Sequence, residues 1–88
     1  MKDLEKLRDE IDQIDRQMQQ LFEERMKVSA GVAAFKAQTG KPVLDPEREK
    51  ALLDKLAGRA SDEEMAEGIV KLYTTLLEIS RDYQSKRV

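Results

Sequence analysis

Histidine, cysteine and tryptophan are all absent from this chain of 88 residues. Without cysteine there is no disulfide framework and no thiol nucleophile. Without histidine the most common general base and a frequent metal ligand are missing as well. Any enzymatic chemistry of this chain must therefore work without these groups.

Long apolar runs and an excess of positive charge are also missing. The longest stretch without a charged residue, which begins at Val28, is far shorter than the ~20 residues of a membrane-spanning helix. There are 16 basic and 18 acidic residues, whereas nucleic-acid binding depends on positive charge that neutralises phosphates. The densely charged segment from Lys2 to Glu10 does not resemble a signal peptide. We therefore expect a cytoplasmic protein that binds neither membranes nor nucleic acid.

Apolar residues recur at alternating spacings of three and four from Leu4 to Phe35, which predicts one continuous helix over residues 4–38. Gly40 suits a left-handed helix cap and Pro42 prevents continuation. Such a helix is roughly 50 Å long, whereas a compact domain of this size has a radius of gyration of only ~12 Å. We therefore predict that a second chain covers the overhanging apolar face, in an intertwined homodimer.

Two further helices are predicted from their capping residues. Asp45 and Pro46 suit the cap and first position of a short helix that Gly58 closes. The segment from Ser61 to Glu64 has the pattern of a capping box, with Ser61 as the cap of a long third helix. No repeat or linker interrupts the chain. The sequence thus predicts a single all-α domain over residues 1–88 that forms a helical bundle in the homodimer.

Charged residues occupy positions where the helical pattern favours apolar ones. Arg25 interrupts the apolar face of the first helix, and Lys36 lies eleven residues later on the same side. Arg48 and Glu49 share the apolar face of the second helix. Two simpler explanations stay open, namely that Arg25 only fixes helix register and that Lys36 extends to solvent at the helix end. A local ion pair would equally explain the charges of the second helix.

Ser80 and Gln84 extend this inward polar pattern to the third helix, and Arg8 lies beside the apolar face of the first. Taken singly, Gln84 would be a solvated residue near the end of the chain and Arg8 a surface residue. Taken together with the three inward cations, they predict a cavity rich in donors, in which Glu49 is the main anion. Arginine binds carboxylates through two parallel hydrogen bonds, so such a cavity suits a small molecule with two carboxylates.

Three segments carry a resemblance to a known family: LRDEIDQIDRQMQQLFEERMKVSAGVAAFK, GKPVLDPERE and SRDYQ. Their order and spacing over residues 4–84 resemble the all-helical chorismate mutases. The resemblance implies the Claisen rearrangement of chorismate to prephenate in the biosynthesis of phenylalanine and tyrosine. That rearrangement is intramolecular and requires no cofactor, metal, nucleophile or obligatory proton transfer, which would account for the missing histidine and cysteine.

The resemblance also implies roles for the inward residues. Arg25 would bind a substrate carboxylate within its own chain, and Arg8 would be supplied across the dimer. Arg48 matches a further arginine of the family pocket. Lys36 and Gln84 match the pair that hydrogen-bonds the ether oxygen of the substrate, at the bond that breaks.

Three more positions match the family pattern. Glu49, with Asp45 near it, corresponds to the position that hydrogen-bonds the ring hydroxyl, and Ser80 lies where the family places a hydroxyl beside a carboxylate. Asp45 is equally explained as a helix cap. Two alternative functions stay open, an isochorismate pyruvate-lyase of the same fold and a non-catalytic helical dimerisation module.

Overall fold

Three α-helices make up the fold of this computed structural model, which describes residues 3–87: α1 spans Leu4–Thr39, α2 spans Pro46–Arg59 and α3 spans Glu63–Ser85. No strand occurs in residues 3–87. The predicted all-α fold of one very long, one short and one long helix is confirmed. Within the same residues, no helix combines the length and the apolar character needed to cross a membrane.

Both ends of α1 follow from local chemistry. The Asp3 carboxylate accepts a hydrogen bond from the Lys6 amide at 2.9 Å, which satisfies one of the free donors of the first turn. At the other end Gly40 has a φ of 72°, and its amide donates to the Lys36 carbonyl. A residue without a Cβ adopts this left-handed conformation at little cost. The predicted stop at Gly40 is confirmed.

The predicted start of α2 is also confirmed, but its predicted end is wrong. Asp45 accepts from the Arg48 amide at 3.1 Å, and Pro46 is the first helical residue. Gly58 lies inside the helix, which continues to Arg59 and ends at Ala60 with φ −65° and ψ 150°. An extended residue ends this helix, so no left-handed glycine is needed there.

The cap of α3 is Asp62, and the prediction that Ser61 caps this helix is wrong. The Asp62 carboxylate accepts from the Met65 amide at 2.7 Å. Serine and aspartate both suit a cap, but the charged carboxylate is the stronger acceptor at the positive end of the helix dipole. The helix therefore begins at Glu63, one residue later than a serine cap would place it.

The third helix is the centre of the fold, because it packs against both α1 and α2. The buried residues of the described chain lie on its inner face and on the facing part of α1: Met26, Ser29, Ala33, Leu77, Ser80 and Gln84. Half of this small core is polar. The helices therefore enclose a polar region at the place where they meet.

The N-terminal half of α1 projects beyond the rest of the chain, and every residue from Asp3 to Glu24 is exposed. The molecule is 56 Å long and has a radius of gyration of 16.2 Å, against about 12 Å for a compact domain of this length. The predicted overhang of the first helix is therefore confirmed.

Candidate active site

A cavity of about 280 Å³ lies where the three helices and the segment before α2 meet. Seven of the eight residues predicted from the sequence line it: Arg25, Lys36, Asp45, Arg48, Glu49, Ser80 and Gln84. Its apolar walls consist of Val28, Val32, Val43, Leu52 and Leu77. The structure thus brings together charged and polar residues from all three helices.

The two carboxylates of the cavity are already engaged. Asp45 caps α2, and Glu49 forms an ion pair across to α3. Within residues 3–87, no carboxylate pairs with Arg25, Lys36 or Arg48. The cavity therefore has a net positive character that suits a small molecule with two negative charges.

Lys36 joins the end of α1 to the segment that precedes α2. Its Nζ donates to the Val43 carbonyl oxygen at 2.8 Å, and the side chain is half-buried. An ammonium group has three donors, so this contact leaves others available for a ligand. The Val43 carbonyl thus holds the ammonium at the wall of the cavity.

Arg81 is a cavity residue that the sequence analysis missed. Its Nη1 donates to both carboxylate oxygens of Glu49, at 2.5 and 2.6 Å, and this pair links α3 to α2. The hydrogen bonds to Glu49 raise the pKa of Arg81 above its ordinary value, so Arg81 is charged throughout the neutral range. One feature of the sequence indicated that Arg81 faces the cavity. It lies three residues before Gln84, a spacing that places both side chains on one side of α3.

Three buried polar side chains form a hydrogen-bonded chain between α1 and α3. The Oγ atoms of Ser29 and Ser80 are 3.1 Å apart, and Nε2 of Gln84 donates to Ser80 Oγ at 3.2 Å. The other amide atom, Gln84 Oε1, is buried and has no hydrogen-bond partner in the described part of the chain. The sequence analysis assigned no role to Ser29, although it lies four residues after Arg25, a spacing that places both on one side of α1.

Arg8 is the one predicted site residue that does not line the cavity. It is exposed on the projecting half of α1. At 1.5 Å per residue it lies about 25 Å along the helix from Arg25, much farther than an arginine side chain reaches. Arg8 therefore cannot contribute to the cavity of its own chain.

The fold and the cavity define a small all-helical protein in which arginine, lysine, amide and hydroxyl side chains surround one cavity. No group of three or more potential metal ligands occurs in residues 3–87. The chain belongs to the chorismate mutase type II family, whose sequence profile matches residues 7–85. The family resemblance seen in the sequence is thereby confirmed.

Relatives in sequence agree with this assignment. The chain is 33% identical over 84 residues to a chorismate mutase of Methanocaldococcus jannaschii, which covers 94% of this chain and 85% of that protein. It is 34% identical over 85 residues to a bifunctional chorismate mutase/prephenate dehydratase of Buchnera aphidicola, and there the match covers 96% of this chain but 22% of the relative. The chain thus corresponds to a small part of the bifunctional protein.

Solved structures show the same fold. Chorismate mutase (Form II) from Thermus thermophilus superposes with a TM-score of 0.90 at 26% identity, with 96% of both chains covered. Chorismate mutase from Helicobacter pylori, solved in complex with prephenate, superposes with a TM-score of 0.86 at 31% identity. That match covers 96% of this chain and 91% of the other. The all-helical class predicted from the sequence is confirmed.

Proposed function

We propose that the cavity between the three helices converts chorismate to prephenate, the reaction that gives the family its name. The observation that carries this proposal is the set of three cavity cations without carboxylate partners in residues 3–87. Chorismate is a small dianion, and its rearrangement breaks and forms bonds within one molecule. A site can accelerate such a reaction by holding the reactive shape and by stabilising developing charge.

Arg25 binds a substrate carboxylate within its own chain, and Arg48 adds a further guanidinium to the pocket. They approach from α1 and α2, on different sides of the cavity. A guanidinium group holds a carboxylate through two parallel hydrogen bonds, which fixes direction as well as position. Two such contacts restrict a flexible substrate to the folded shape in which its reacting carbon atoms meet.

Lys36 and Gln84 act at the ether oxygen. This oxygen gains negative charge as its bond to the ring carbon lengthens, so donors already directed at it stabilise the transition state more than the ground state. Lys36 supplies a positive charge and Gln84 a neutral amide donor from the opposite helix. These two residues therefore act on the chemical step.

The remaining cavity residues have supporting roles. Glu49 accepts a hydrogen bond from the ring hydroxyl and is held in place by Arg81. Ser80 lies beside a substrate carboxylate. Asp45 starts α2 through its hydrogen bond to the Arg48 amide, and this contact fixes the position of the helix that carries Arg48 and Glu49.

The active unit is a homodimer in which Arg8 enters the cavity of the other subunit. Along the projecting half of α1 the apolar side chains are 43–62% exposed: Leu4, Leu7, Ile11, Ile14, Met18 and Leu21. A second copy related by twofold symmetry covers this stripe, because both copies carry the same apolar surface. The same arrangement carries Arg8 away from its own cavity and towards that of the partner. We place this dimer in the cytoplasm.

The first test is the loss of chorismate absorbance with purified protein, with the product identified as prephenate by its acid conversion to phenylpyruvate. We expect saturable turnover by the wild type and nearly none by Lys36→Ala. Pyruvate release from isochorismate without turnover of chorismate would place the chain among the lyases instead. A folded dimer that acts on neither substrate would support the non-catalytic dimerisation module.

A further inference from the structure

Three buried polar side chains, linked to one another by hydrogen bonds, make up half of the small core. Ser29, Ser80 and Gln84 are only 7, 4 and 8% exposed, and they lie among very few buried residues. Burying three polar side chains is unfavourable unless their hydrogen bonds are satisfied. A cavity that needed only apolar walls at this place could have used alanine at the first two positions. The hydroxyl groups are therefore expected to serve a further purpose.

One atom among these three side chains lacks a hydrogen-bond partner in the described part of the chain. Gln84 uses Nε2 to donate to Ser80, while its Oε1 is buried without a donor among residues 3–87. A rotation of the amide exchanges the two atoms, since they are alike in shape and differ only in hydrogen bonding. In the rotated arrangement the Ser80 hydroxyl donates to Oε1, and Ser80 uses neither hydrogen of Nε2.

The orientation of the amide decides whether Gln84 can act on the substrate. The ether oxygen is only an acceptor, so it needs Nε2 and is repelled by Oε1. Either hydroxyl of the Ser29–Ser80 pair can be the donor. When Ser29 donates to Ser80 Oγ, the proton of Ser80 is free to bind Oε1, and each bond polarises and strengthens the next.

We propose that Ser29 is a positioning residue that orients the Gln84 amide through the hydroxyl of Ser80. This inference rests on the proposed function, since it assigns to Gln84 the role of donor at the ether oxygen. Ser29 also lines the cavity, but in this proposal it affects the reaction only through Ser80 and Gln84. Without the Ser29 hydroxyl, Ser80 Oγ loses this donor and accepts more readily from Gln84 Nε2, so the amide populates both orientations, of which only one is productive.

The kinetic test is Ser29→Ala, measured alone and in a Gln84→Ala background. We expect kcat to fall about three- to tenfold with KM changed less than about twofold, because one net hydrogen bond is lost from the transition state. In the Gln84→Ala background the same substitution should have no effect on kcat. Ser29→Thr, which keeps a hydroxyl, should retain most of the activity. Equal losses in both backgrounds, or no loss in either, would overturn the proposal.

A matched control and a second readout separate this inference from the proposed function. Thr75→Ala also removes a helix hydroxyl, but this hydroxyl is exposed and donates only to the Lys71 carbonyl of its own helix. In ligand-free protein, the Gln84 side-chain amide signals in a nitrogen–proton correlation spectrum should shift in Ser29→Ala and stay in place in Thr75→Ala. Unchanged Gln84 signals in Ser29→Ala would contradict the inference even if the wild type proved inactive towards chorismate.

Discussion

Lys36 both contacts the Val43 carbonyl and lines the cavity. We expect its position in the cavity to determine most of the effect of its substitution. Its Nζ binds the Val43 carbonyl, and the side chain faces the same space as Gln84. For Lys36→Ala we expect a loss of about 10²- to 10³-fold in kcat, as for removal of one donor to a developing oxyanion. Lys50→Ala removes an equal charge from an exposed position on α2 outside the cavity and should be near wild type. Comparable losses in the two variants would show that only overall charge matters.

Gln84 bears on the pH dependence, because an amide does not titrate. The wild type should therefore need no acid for activity. In Gln84→Glu the side chain can donate to the ether oxygen only as a protonated acid, whereas the carboxylate repels it. Activity of this variant should rise as pH falls and be lost as pH rises through the pKa of the new carboxyl. Profiles of kcat/KM over about pH 4.5 to 8 would expose the difference, and parallel profiles would contradict the assignment of Gln84.

Most cavity residues could be predicted from the sequence because they place charge on otherwise apolar helix faces. Arg25 and Lys36 are visible in this way from the helical period alone. The spacing to Gln84 could have placed Arg81 on the inner side of α3, but its ion pair could not be predicted, since its partner Glu49 is 32 residues away. The role of Ser29 depends on Ser80, which is 51 residues away. Such pairings depend on how the helices pack, and the helical period does not determine that.

Some helix ends could be predicted from the sequence and others could not. Gly40 and Asp45 each stand alone as strong signals, and both were identified. Ser61 and Asp62 are adjacent cap residues, and composition does not decide between them. The carboxylate of Asp62 accepts the Met65 amide, and local electrostatics explains this outcome only once the backbone is known.

The adjacent pair at the start of α3 provides a matched stability test. Asp62→Ala removes the cap and should lower the free energy of unfolding by about 1 kcal/mol. Ser61→Ala, one residue away, should change it by a few tenths at most, since Ser61 is exposed and caps nothing. Urea unfolding at one fixed protein concentration measures both. A larger loss for Ser61→Ala would reverse the assignment of the cap.

The Arg81–Glu49 pair fastens α2 to α3, and its contribution should not vary with pH near neutrality. The pKa of Arg81 is raised in the folded state, so the stabilisation is fully present below the ordinary pKa and is lost only as pH rises through the raised one. Arg81→Leu should lower the free energy of unfolding by about 1 kcal/mol. The loss should be equal at about pH 7 and pH 9, and smaller at high salt.

The effect on substrate binding separates this pair from a purely structural clamp. Arg81→Leu frees the Glu49 carboxylate inside the cavity proposed to bind a dianion, so KM for chorismate should rise. Adding Glu49→Gln to this variant removes the unpaired charge and should recover part of the loss. A double variant that binds no better than Arg81→Leu would show that the repulsion from Glu49 is unimportant.

The shape of the whole chain follows from one sequence feature, the length of the first apolar pattern. A helix predicted at about 50 Å must project from a domain of this size, and the 56 Å long axis agrees with this expectation. Every residue of the projecting half of α1, up to Glu24, is exposed in the single chain, so we expect another chain to cover its apolar side. The exposed stripe from Leu4 to Leu21 and the distance of Arg8 from its own cavity both favour a second copy.

Mixing two inactive variants tests this shared site directly. In an Arg8→Ala/Arg25→Ala heterodimer, one cavity receives an intact Arg25 from its own chain and an intact Arg8 from the other. The second cavity lacks both. Random reassortment makes half of the dimers mixed, so about one quarter of wild-type activity should return, although each variant alone is nearly inactive.

The matched control for this complementation is a mixture of Arg25→Ala with Arg48→Ala. Both of these residues line the cavity of their own chain, so every cavity in the mixed dimer keeps one defect and no activity should return. Recovery in the first mixture alone requires that the site spans two chains. No recovery in either mixture, with subunit exchange verified, would mean that Arg8 does not act across the interface. The exposed α1 stripe would then explain dimer formation but not the completion of the cavity.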